Sequence, residues 1–275
     1  MSKQNKGILC VLLAATAFSL GGLLIKLIPY SSFSIASGRC IFSSLVFALY
    51  FIINKRRLVI NKTTLFGALF GLLNMLAYIV SNKLTTAANA IILEYTSSIF
   101  IIIFEFILFN RKPTKLDIIC SSFIFIGIVL VFIDGINTNG LLGIIIALVG
   151  GGIYAIVLMA NSFEGSDPVS SMFMAHIACA VLFLPFLLKE TDFSARTLTY
   201  LSILGIVQAG CGYLLLTIGT TLCKPLTVSL LASIEPILNP ILVAVFYGEH
   251  MNPIAIVGAT IVLGSNIVYN ILQSR

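Results

Sequence analysis

Charged residues are scarce in this chain. They make up 9% of its 275 residues, whereas hydrophobic residues make up 59%, and the mean hydropathy is +1.10. Soluble globular proteins carry about a quarter charged residues, so water cannot be the main solvent of this protein. The composition instead indicates a chain whose surface faces lipid.

Motifs that carry enzymatic chemistry are also missing. The chain has no glycine-rich phosphate loop, no HExxH zinc motif, no Asp-rich diphosphate motif and no GxSxG serine motif. Its six cysteines show neither CxxC nor Cys/His ligand spacing, so we interpret them as small packing residues. We therefore expect no catalytic residue, no cofactor and no metal site.

Long polar connections are absent as well, so no soluble domain can fold between the apolar segments. Runs of about 20 apolar residues can cross a bilayer as helices, and these runs lack the alternating polarity of barrel strands. No small-residue cleavage site follows the short basic stretch before Gly7, so we expect the first run to be retained. The sequence predicts an all-α membrane protein with ten transmembrane helices, at residues 7–28, 31–53, 64–81, 85–109, 115–133, 140–160, 168–188, 195–219, 225–247 and 252–272.

Basic residues are distributed unevenly between the two ends of these helices. If the N-terminus is cytoplasmic, only Lys83, Lys189 and Arg196 fall outside. An excess of Lys and Arg in short inner loops predicts that both termini are cytoplasmic. It also explains the net charge of +6 without nucleic acid as a partner. The inner residues are Lys3, Lys6, Lys55, Arg56, Arg57, Lys62, Arg111, Lys112, Lys115, Lys224 and Arg275.

The two halves of the chain resemble each other. The run that begins at Gly7 is similar to the run that begins at Gly140, and predicted helices 4 and 5 align with predicted helices 9 and 10. Five spans in each half is an odd number, so the second repeat must enter the membrane upside down. We predict two inverted five-helix repeats, residues 1–136 and 137–275, around a site near the bilayer midplane.

Several motifs lie at corresponding places in the two halves. They are Ala90-Ile-Ile-Leu-Glu-Tyr-Thr-Ser-Ser-Ile-Phe in predicted helix 4, and Ser233-Ile-Glu-Pro-Ile-Leu-Asn-Pro-Ile with Tyr247-Gly-Glu-His in predicted helix 9, followed by Gly258 and Gly264. Together with the basic Arg39 in predicted helix 2, they resemble the drug/metabolite transporter superfamily, specifically its ten-helix EamA-type branch. The resemblance covers essentially the whole chain.

The resemblance implies ten helices in two inverted repeats, alternating access, and import or export of small organic solutes. Two positions depart from the family pattern. Ser98, which aligns with Pro236 of the second half, stands where a proline is usual. Asn110-Arg111 replaces the first Gly-Glu pair, with Arg111 aligned to Glu249. For this chain, the resemblance therefore implies neither a kink in predicted helix 4 nor an acidic residue capping the loop that follows it.

Two carboxylates are predicted near the middle of the membrane. Glu94 lies ten residues into predicted helix 4 and Glu235 eleven residues into predicted helix 9, and the repeat alignment directs both toward one cavity. Buried charges in lipid are costly, so such groups usually serve a site. We predict that one of them exchanges protons or pairs with a cationic group. The alternative is that Glu235, next to Pro236, only hydrogen-bonds across helices and stabilises a kink.

Pro236 and Pro240 interrupt the hydrogen-bond ladder of predicted helix 9. Proline lacks an amide hydrogen, so the carbonyls four residues earlier, at Ala232 and Pro236, are predicted to lose their usual partners. Polar backbone would then be exposed near the midplane. Asn239, one turn after Glu235, would share that face and could contact solute. A purely structural hinge explains the same pattern.

Three further ionisable residues lie within predicted helices. Arg39, eight residues into predicted helix 2, should pair with a carboxylate or bind an anionic group, and we expect a structural ion pair. His176, eight residues into predicted helix 7, could titrate near neutrality or could simply be held by a hydrogen bond. Lys26 is close enough to a helix end to reach the membrane surface.

Other polar, aromatic and small residues complete the predicted site. Each of the wall residues could instead be a packed or interfacial side chain, and the glycines are packing signals that could also permit bending. The predicted wall residues are Tyr78, Asn74, Gln208, Tyr213 and Tyr154. The predicted gating or hinge positions are Gly21, Gly22, Gly151, Pro236 and Pro240.

The sequence as a whole predicts a secondary active transporter in the inner or plasma membrane. It would move a small organic metabolite, amino-acid-like or amine/cationic, by alternating access. A gradient must drive it, through proton coupling or exchange, because no ATP-hydrolysing domain can fit. The expected partners are the solute and the lipid bilayer, with protons and a second copy of the chain left open. The alternatives are a channel or scaffold subunit and, less favoured, a membrane-embedded lipid enzyme.

Overall fold

The computed structural model describes residues 2–110, 112–137, 140–160, 163–223, 231–232, 234–249 and 251–273. The predicted start of helix 9 at 225–230 and the residues Arg111, Lys224, Ser233, His250 and Arg275 lie outside this part. The described residues form helices and no strand. The helices are α1 (Lys3–Leu27), α2 (Ser32–Ile53), α3 (Lys62–Leu84), α4 (Ala87–Glu94), α5 (Ser97–Phe109), α6 (Lys115–Asn137), α7 (Leu141–Ala160), α8 (Pro168–Leu187), α9 (Ala195–Ile203), α10 (Gly212–Leu222), α11 (Glu235–Tyr247) and α12 (Pro253–Gln273), with a π-helical segment (Leu204–Cys211) joining α9 to α10.

Short polar side chains begin most of these helices. Ser31, Asn61 and Thr86 each accept a hydrogen bond from a backbone amide in the first turn of α2, α3 and α4, which would otherwise lack a partner. Asp167 does the same for α8 and also pairs with Arg56, whose Nη2 lies 2.9 Å from Asp167 Oδ1. Local sequence therefore determines where the chain re-enters the helical bundle.

Eight helical segments of the described chain are long and apolar enough to cross a membrane. They are α1, α2, α3, α6, α7, α8, the α4–α5 pair and the α9–α10 pair with its π-helical segment. The helices α11 and α12 supply two shorter apolar stretches, on which the predicted count of ten depends. Apolar side chains are exposed along the helices, as at Leu45, Leu69 and Val181. Such surfaces are unsuited to water, so the chain is an integral membrane protein.

The second half repeats the pattern of the first around α5 and α11. Both helices have 13 residues. Each is followed by a residue in the left-handed region, Asn110 at φ 53° and Gly248 at φ 77°. The number of residues between this left-handed residue and the next helix is also the same in both halves. Lys115, the first residue of α6, therefore corresponds to Pro253, the first residue of α12. This is the register of the sequence alignment between predicted helices 4 and 9.

Helices from the two halves alternate around the centre of the bundle. α2 packs on α8, α3 packs on α7, and α1 packs on both α10 and α11. α6 and α12 pack mainly on each other, with Gly127 against Gly258 at their crossing and Tyr269 donating a 2.7 Å hydrogen bond to Asp117 Oδ1. This pair therefore lies to one side, and the other helices enclose the centre.

Predicted helix 4 is interrupted, although it contains no proline. α4 ends at Glu94, and α5 begins three residues later. The Thr96 hydroxyl donates a 2.6 Å hydrogen bond to Leu93 O, and Asn266 of α12 donates a 3.0 Å bond from Nδ2 to Tyr95 O. These side-chain donors occupy carbonyls that a continuous helix would use. The resemblance implied no kink here because Ser98 replaces the usual proline, and the structure nevertheless shows an interruption within a span, Ala87–Leu108, that is long enough to cross the membrane.

Candidate functional site

A polar cavity lies at the centre of the bundle, between helices of both halves. Its volume is about 50 Å³. Eight of the ten residues predicted for substrate binding or proton coupling line it, and the exceptions are His176 and Asn239. The lining residues are Phe18, Arg39, Asn74, Met75, Tyr78, Glu94, Tyr95, Tyr154, Gln208, Tyr213, Leu216 and Glu235.

Glu94 reaches the cavity from the last position of α4. Asn74 of α3 donates a 2.9 Å hydrogen bond from Nδ2 to Glu94 Oε1. Gly151 of α7 packs against the interruption that follows Glu94, where a side chain would collide with Leu93 O and Thr96 Oγ1. The structure thus shows Gly151 as a close-packing position in a continuous helix, and its role as a hinge stays a prediction.

Glu235 faces the same cavity from the first position of α11. The Tyr95 hydroxyl lies 3.2 Å from Glu235 Oε2 and 2.9 Å from Ala232 O. Pro236 deprives the Ala232 carbonyl of its usual amide partner, so the Tyr95 hydroxyl supplies a replacement donor. Pro240 lies within α11, which continues past it. A residue of the first half therefore stabilises the start of the second-half helix.

Arg39 of α2 is 1% exposed, and its side chain lines the cavity. Nε and Nη1 of the guanidinium have no hydrogen-bond partner among the described residues. The ion pairs of the described chain are Lys26–Glu249 and Arg56–Asp167. The structural ion pair expected for Arg39 is therefore wrong. Its guanidinium is instead a buried cation without a carboxylate of the described residues in contact.

The π-helical segment Leu204–Cys211 carries Gln208 at the cavity wall. Gln208 Oε1 is buried and has no hydrogen-bond partner within the part of the chain that is described. Gly205 of the same segment lies directly against the carbonyl of Arg39, an approach that needs a residue without a side chain. A wide helical turn of this kind often occurs at functional sites. Through the Gly205 contact, the segment that carries Gln208 packs directly on α2 at Arg39.

Tyr78 lines the cavity, and Asn239 lies behind it. Asn239 donates a 3.2 Å hydrogen bond from Nδ2 to the Tyr78 hydroxyl. Gly21 and Gly22 of α1 pack on this pair, so a side chain at Gly21 would meet the Tyr78 hydroxyl and one at Gly22 would meet Asn239 and Ala87. α1 is continuous here, so the structure shows packing at both glycines, and their bending stays a prediction.

A salt bridge joins the end of α1 to the residue pair that follows α11, farther along α1 than Gly21 and Gly22. Lys26 Nζ, at the end of α1, lies 2.8 Å from Glu249 Oε2, and the Ala87 amide at the start of α4 donates a 2.7 Å hydrogen bond to Glu249 Oε1. Lys26 also donates a 2.7 Å hydrogen bond to Thr85 O. We call this the Lys26–Glu249 contact. It joins the two halves of the chain. The sequence indicated that Lys26 reaches the membrane surface, but it did not indicate Glu249 as its partner.

His176 lies behind the cavity wall. Its Nδ1 is 2.7 Å from Met172 O, and its ring packs on Phe47 and Tyr213 at centroid distances of 5.3 and 5.7 Å. Tyr213 lines the cavity and packs on Phe18, so it lies between His176 and that surface. These contacts agree with the alternative of a histidine held by a hydrogen bond, and they give no direct support to solute binding.

Four cavity residues were missed by sequence reasoning: Phe18, Met75, Tyr95 and Leu216. Tyr95 follows Glu94 directly, and neighbours on a continuous helix point in directions about 100° apart. The helix interruption brings both side chains to one cavity, which no local pattern indicated. The other three are apolar, and the sequence does not distinguish them from the many apolar residues that face lipid or pack against other helices. No group of three or more His, Cys, Asp or Glu in the described ranges could hold a metal ion.

The fold and the cavity define an all-helical integral membrane protein with a polar interior. A model of the EamA-like transporter family matches residues 5–133 and, a second time, residues 138–271. The two matches cover nearly the whole chain, so the protein belongs to the EamA-like transporter family, a family of transporters and not of enzymes. The resemblance drawn from the sequence motifs is thereby confirmed.

Solved structures support the same fold. A crystal structure of another protein is 17% identical in sequence, with a TM-score of 0.66, and the match covers 99% of each chain. It is one of 21 matching chains. At this identity the similarity supports the fold alone. No curated protein with a matching sequence was found.

Proposed function

We propose that this protein is a secondary active transporter that moves a small organic metabolite through the central cavity by alternating access. The observation that carries the proposal is the meeting of Glu94 and Glu235, one from each half of the chain, in a single cavity. Intramembrane carboxylates that face a cavity usually bind solute or protons. The solute is amino-acid-like or an amine, because carboxylates and buried amide oxygens accept hydrogen bonds from ammonium groups.

The proposed repeats, residues 1–136 and 137–275, are inverted relative to each other. The matched lengths of α5 and α11 and the double family match support two units of this kind. Inverted repeats produce two related conformations that open to opposite sides of the membrane. In the proposed cycle, the helices around the cavity rock against each other while α6 and α12 stay packed at the periphery.

The proposed orientation sets both termini in the cytoplasm of a cell with an inner or plasma membrane. The Lys26–Glu249 contact would then lie at the outer end, and the described conformation would be closed toward the outside. α4, which lies at that end, packs on α11 and on α1, and these contacts support a closed outer end.

A gradient drives the proposed transport. One cavity carboxylate exchanges a proton during the cycle, or a second solute is exchanged for the first. Both schemes need a group whose charge is balanced differently in the two conformations. Each carboxylate has a neutral partner nearby: Asn74 donates to Glu94, and the Tyr95 hydroxyl, which is shared between Ala232 O and Glu235, can donate to Glu235 or accept from its protonated form.

Reconstitution tests the proposal. Purified protein in liposomes should show saturable counterflow of at least one solute from a panel of amino acids and amines, and a pH gradient should change the rate. Glu94→Gln and Glu235→Gln should lower that rate, whereas Glu164→Gln, which removes an exposed carboxylate from the loop before α8, should not. Folded protein that moves no solute under either gradient would contradict the proposal. Unsaturated flux without counterflow would favour a channel.

A further inference from the structure

The loop between α2 and α3, residues 54–61, combines basic residues with exposed apolar residues. Residues 55–57 are all basic, and residues 58–60 are all apolar. Ile60 is 65% exposed and Leu58 is 40% exposed. Exposed apolar side chains in a row are unsuited to water, and charges are unsuited to the lipid core. A segment with both features fits the boundary between lipid headgroups and acyl chains.

The lengths of the adjacent helices place this loop at that boundary. α2 has 22 residues and α3 has 23 residues. At about 1.5 Å per residue the helices are about 33 and 35 Å long, which is enough to cross a hydrocarbon core of about 30 Å. Lys62, the first residue of α3, is exposed and extends the basic segment. The loop therefore lies at headgroup level, at the end of the bundle opposite to the Lys26–Glu249 contact.

Residues of the second half hold the loop in one path. The Val59 amide donates a 3.1 Å hydrogen bond to Ser170 Oγ in the first turn of α8. Asn61 Nδ2 donates a 2.7 Å hydrogen bond to Gly165 O in the loop before α8. Lys55, at φ 47°, turns the chain out of α2. Because its backbone is held at these points, the loop presents its exposed side chains as one surface.

This surface carries a net positive charge. Arg56 Nη2 lies 2.9 Å from Asp167 Oδ1, so the charge of Arg56 is balanced. The remaining basic side chains of the loop and of the first turn of α3 are in no ion pair with the described residues. We call them the loop cations: Lys55, Arg57 and Lys62. Glu164, which is exposed in the loop before α8, is the further carboxylate of that loop, so the cations remain in excess.

We propose that the α2–α3 loop binds the headgroup of an anionic phospholipid, with the phosphate on the loop cations and residues 58–60 beside the acyl chains. Lys and Arg donors form charge-assisted hydrogen bonds with phosphate oxygens, and apolar side chains gain by leaving water. A zwitterionic headgroup carries a cation of its own, so it attracts the loop cations less. Each basic residue near an anionic leaflet contributes about fivefold in affinity. The inference is independent of the solute that the central cavity takes.

The chain contains no tryptophan, so single tryptophan reporters can test the proposal. Ile60→Trp places a reporter on the loop. Leu188→Trp is the matched control, because Leu188 is 71% exposed and follows α8 at the opposite end of the bundle. Its neighbour Lys189 is followed by two carboxylates, Glu190 and Asp192, so that end lacks an excess of cations. The two reporters thus differ in the charge around them and not in exposure to lipid.

Brominated lipids identify which headgroup lies beside each reporter. Each variant is reconstituted in equal mixtures of phosphatidylglycerol and phosphatidylcholine, with bromine on the acyl chains of one lipid or the other. Bromine quenches nearby tryptophan, so the difference between the two mixtures gives the relative binding constant. At Ile60→Trp this constant should favour phosphatidylglycerol by about 10- to 100-fold. At Leu188→Trp the preference should be less than about twofold.

Charge variants assign the preference to the loop cations. Lys55→Gln with Arg57→Gln, in the Ile60→Trp protein, should lower the preference to about fivefold or less. Lys189→Gln with Arg196→Gln removes the same charge from the opposite end and should leave it unchanged. Size-exclusion profiles identify variants that fail to fold. The melting temperature of the unaltered chain in detergent, with either lipid added, gives the same comparison without any substitution.

Each contrary outcome has a distinct meaning. Equal quenching by the two brominated lipids at Ile60→Trp would overturn the proposal. An equal preference at Leu188→Trp would also overturn it, because the whole protein would then attract anionic lipid. Loss of the preference in the control that lacks Lys189 and Arg196 would do the same. If inorganic phosphate at constant ionic strength abolished the preference, the loop would hold a free anion, and a lipid site would be excluded.

Discussion

The two halves of this protein place a carboxylate beside a helix terminus by different means. In the second half, α11 starts at Glu235 with a proline in its first turn, and Pro236 removes an amide that would otherwise bind Ala232 O. In the first half, predicted helix 4 contains no proline, and hydrogen bonds from Thr96 and Asn266 occupy the carbonyls that a continuous helix needs. A missing donor and a competing donor thus lead to comparable geometry.

The comparison extends to the charges themselves. Glu94 is at the C-terminal end of α4, whereas Glu235 is at the N-terminal end of α11. The helix macrodipole favours a negative charge at an N-terminus and opposes one at a C-terminus. The two carboxylates are therefore not equivalent, although they share one cavity. Glu94 is the one whose charge is less supported by its own helix.

The largest effect is expected at Glu94. Glu94→Gln should lower uptake into liposomes by at least about tenfold or abolish its dependence on pH, because the charged group at the cavity is lost. Glu235→Gln should have a smaller effect, since Tyr95 can still donate to the amide oxygen. The variants should insert into the membrane and elute as the unaltered protein does. Normal rates with unchanged pH dependence in Glu94→Gln would remove this residue from the mechanism.

The helix interruption of the first half can be broken and rebuilt. Asn266→Ala removes the donor to Tyr95 O, so it should lower the free energy of unfolding by about 1–3 kcal/mol and slow transport. Adding Ser98→Pro to this variant should restore much of the lost free energy of unfolding and of the lost transport rate. A proline in the first turn of α5 reproduces the arrangement of Pro236 in α11. Chemical denaturation and counterflow measure the two effects.

The neighbouring Ser265→Ala is the matched control for that pair of variants. It alters α12 one position before Asn266 and should change neither quantity. An Asn266→Ala protein as stable and as active as the unaltered one would show that the interruption does not depend on this bond. Failure of Ser98→Pro to rescue would show that the two halves are less alike than their matched registers indicate.

The Lys26–Glu249 contact should have an intermediate effect, on conformation more than on stability. Glu249→Gln removes the charge but keeps an acceptor for the Ala87 amide, so the closed outer end should open more often, by a factor of roughly ten. A cysteine at Met75, in a chain whose native cysteines are replaced, reports this through faster labelling by an impermeant maleimide added outside.

Two further variants sharpen the comparison between the ends of the bundle. Arg56→Gln breaks the Arg56–Asp167 ion pair at the opposite end and should not accelerate labelling from outside. Exchanging the charges, with Lys26→Glu and Glu249→Lys together, should return the labelling rate toward its original value. Equal labelling in Glu249→Gln and in the unaltered protein would mean that this contact does not control access.

The smallest effect is expected at His176. His176→Gln should change uptake by less than about twofold, because the ring lies behind Tyr213 and its Nδ1 is bonded to Met172 O. The pH dependence of transport should persist, in contrast to Glu94→Gln. Loss of that dependence in His176→Gln would move the proton-carrying role from the carboxylates to this histidine.

Much of the fold was predictable because membrane helices are local features. Their bounds follow from runs of apolar residues and from caps such as Ser31 and Asp167, all within a few positions of one another. The carboxylates at Glu94 and Glu235 were found for the same reason, since an ionisable residue inside an apolar run is conspicuous in any sequence. The family match follows from the same motifs.

Contacts between distant segments could not be predicted in this way. The interruption after Glu94 depends on Asn266, and the partner of Lys26 is Glu249, each pair joining opposite halves of the chain. The helix pattern indicated that Arg39 was buried, and burial of a charge suggested an ion pair. Only the positions of the surrounding helices show that its Nε and Nη1 have no acceptor in the described chain.

Hydropathy and spacing are properties of consecutive residues, so the amino-acid order was sufficient to indicate a helical membrane protein with two similar halves and buried acids. Which side chains meet across the bundle is a property of helix packing, because a shift of one turn moves a side chain by about 5 Å and exchanges its partners. That Arg39 forms no ion pair with either cavity carboxylate was decided at that level.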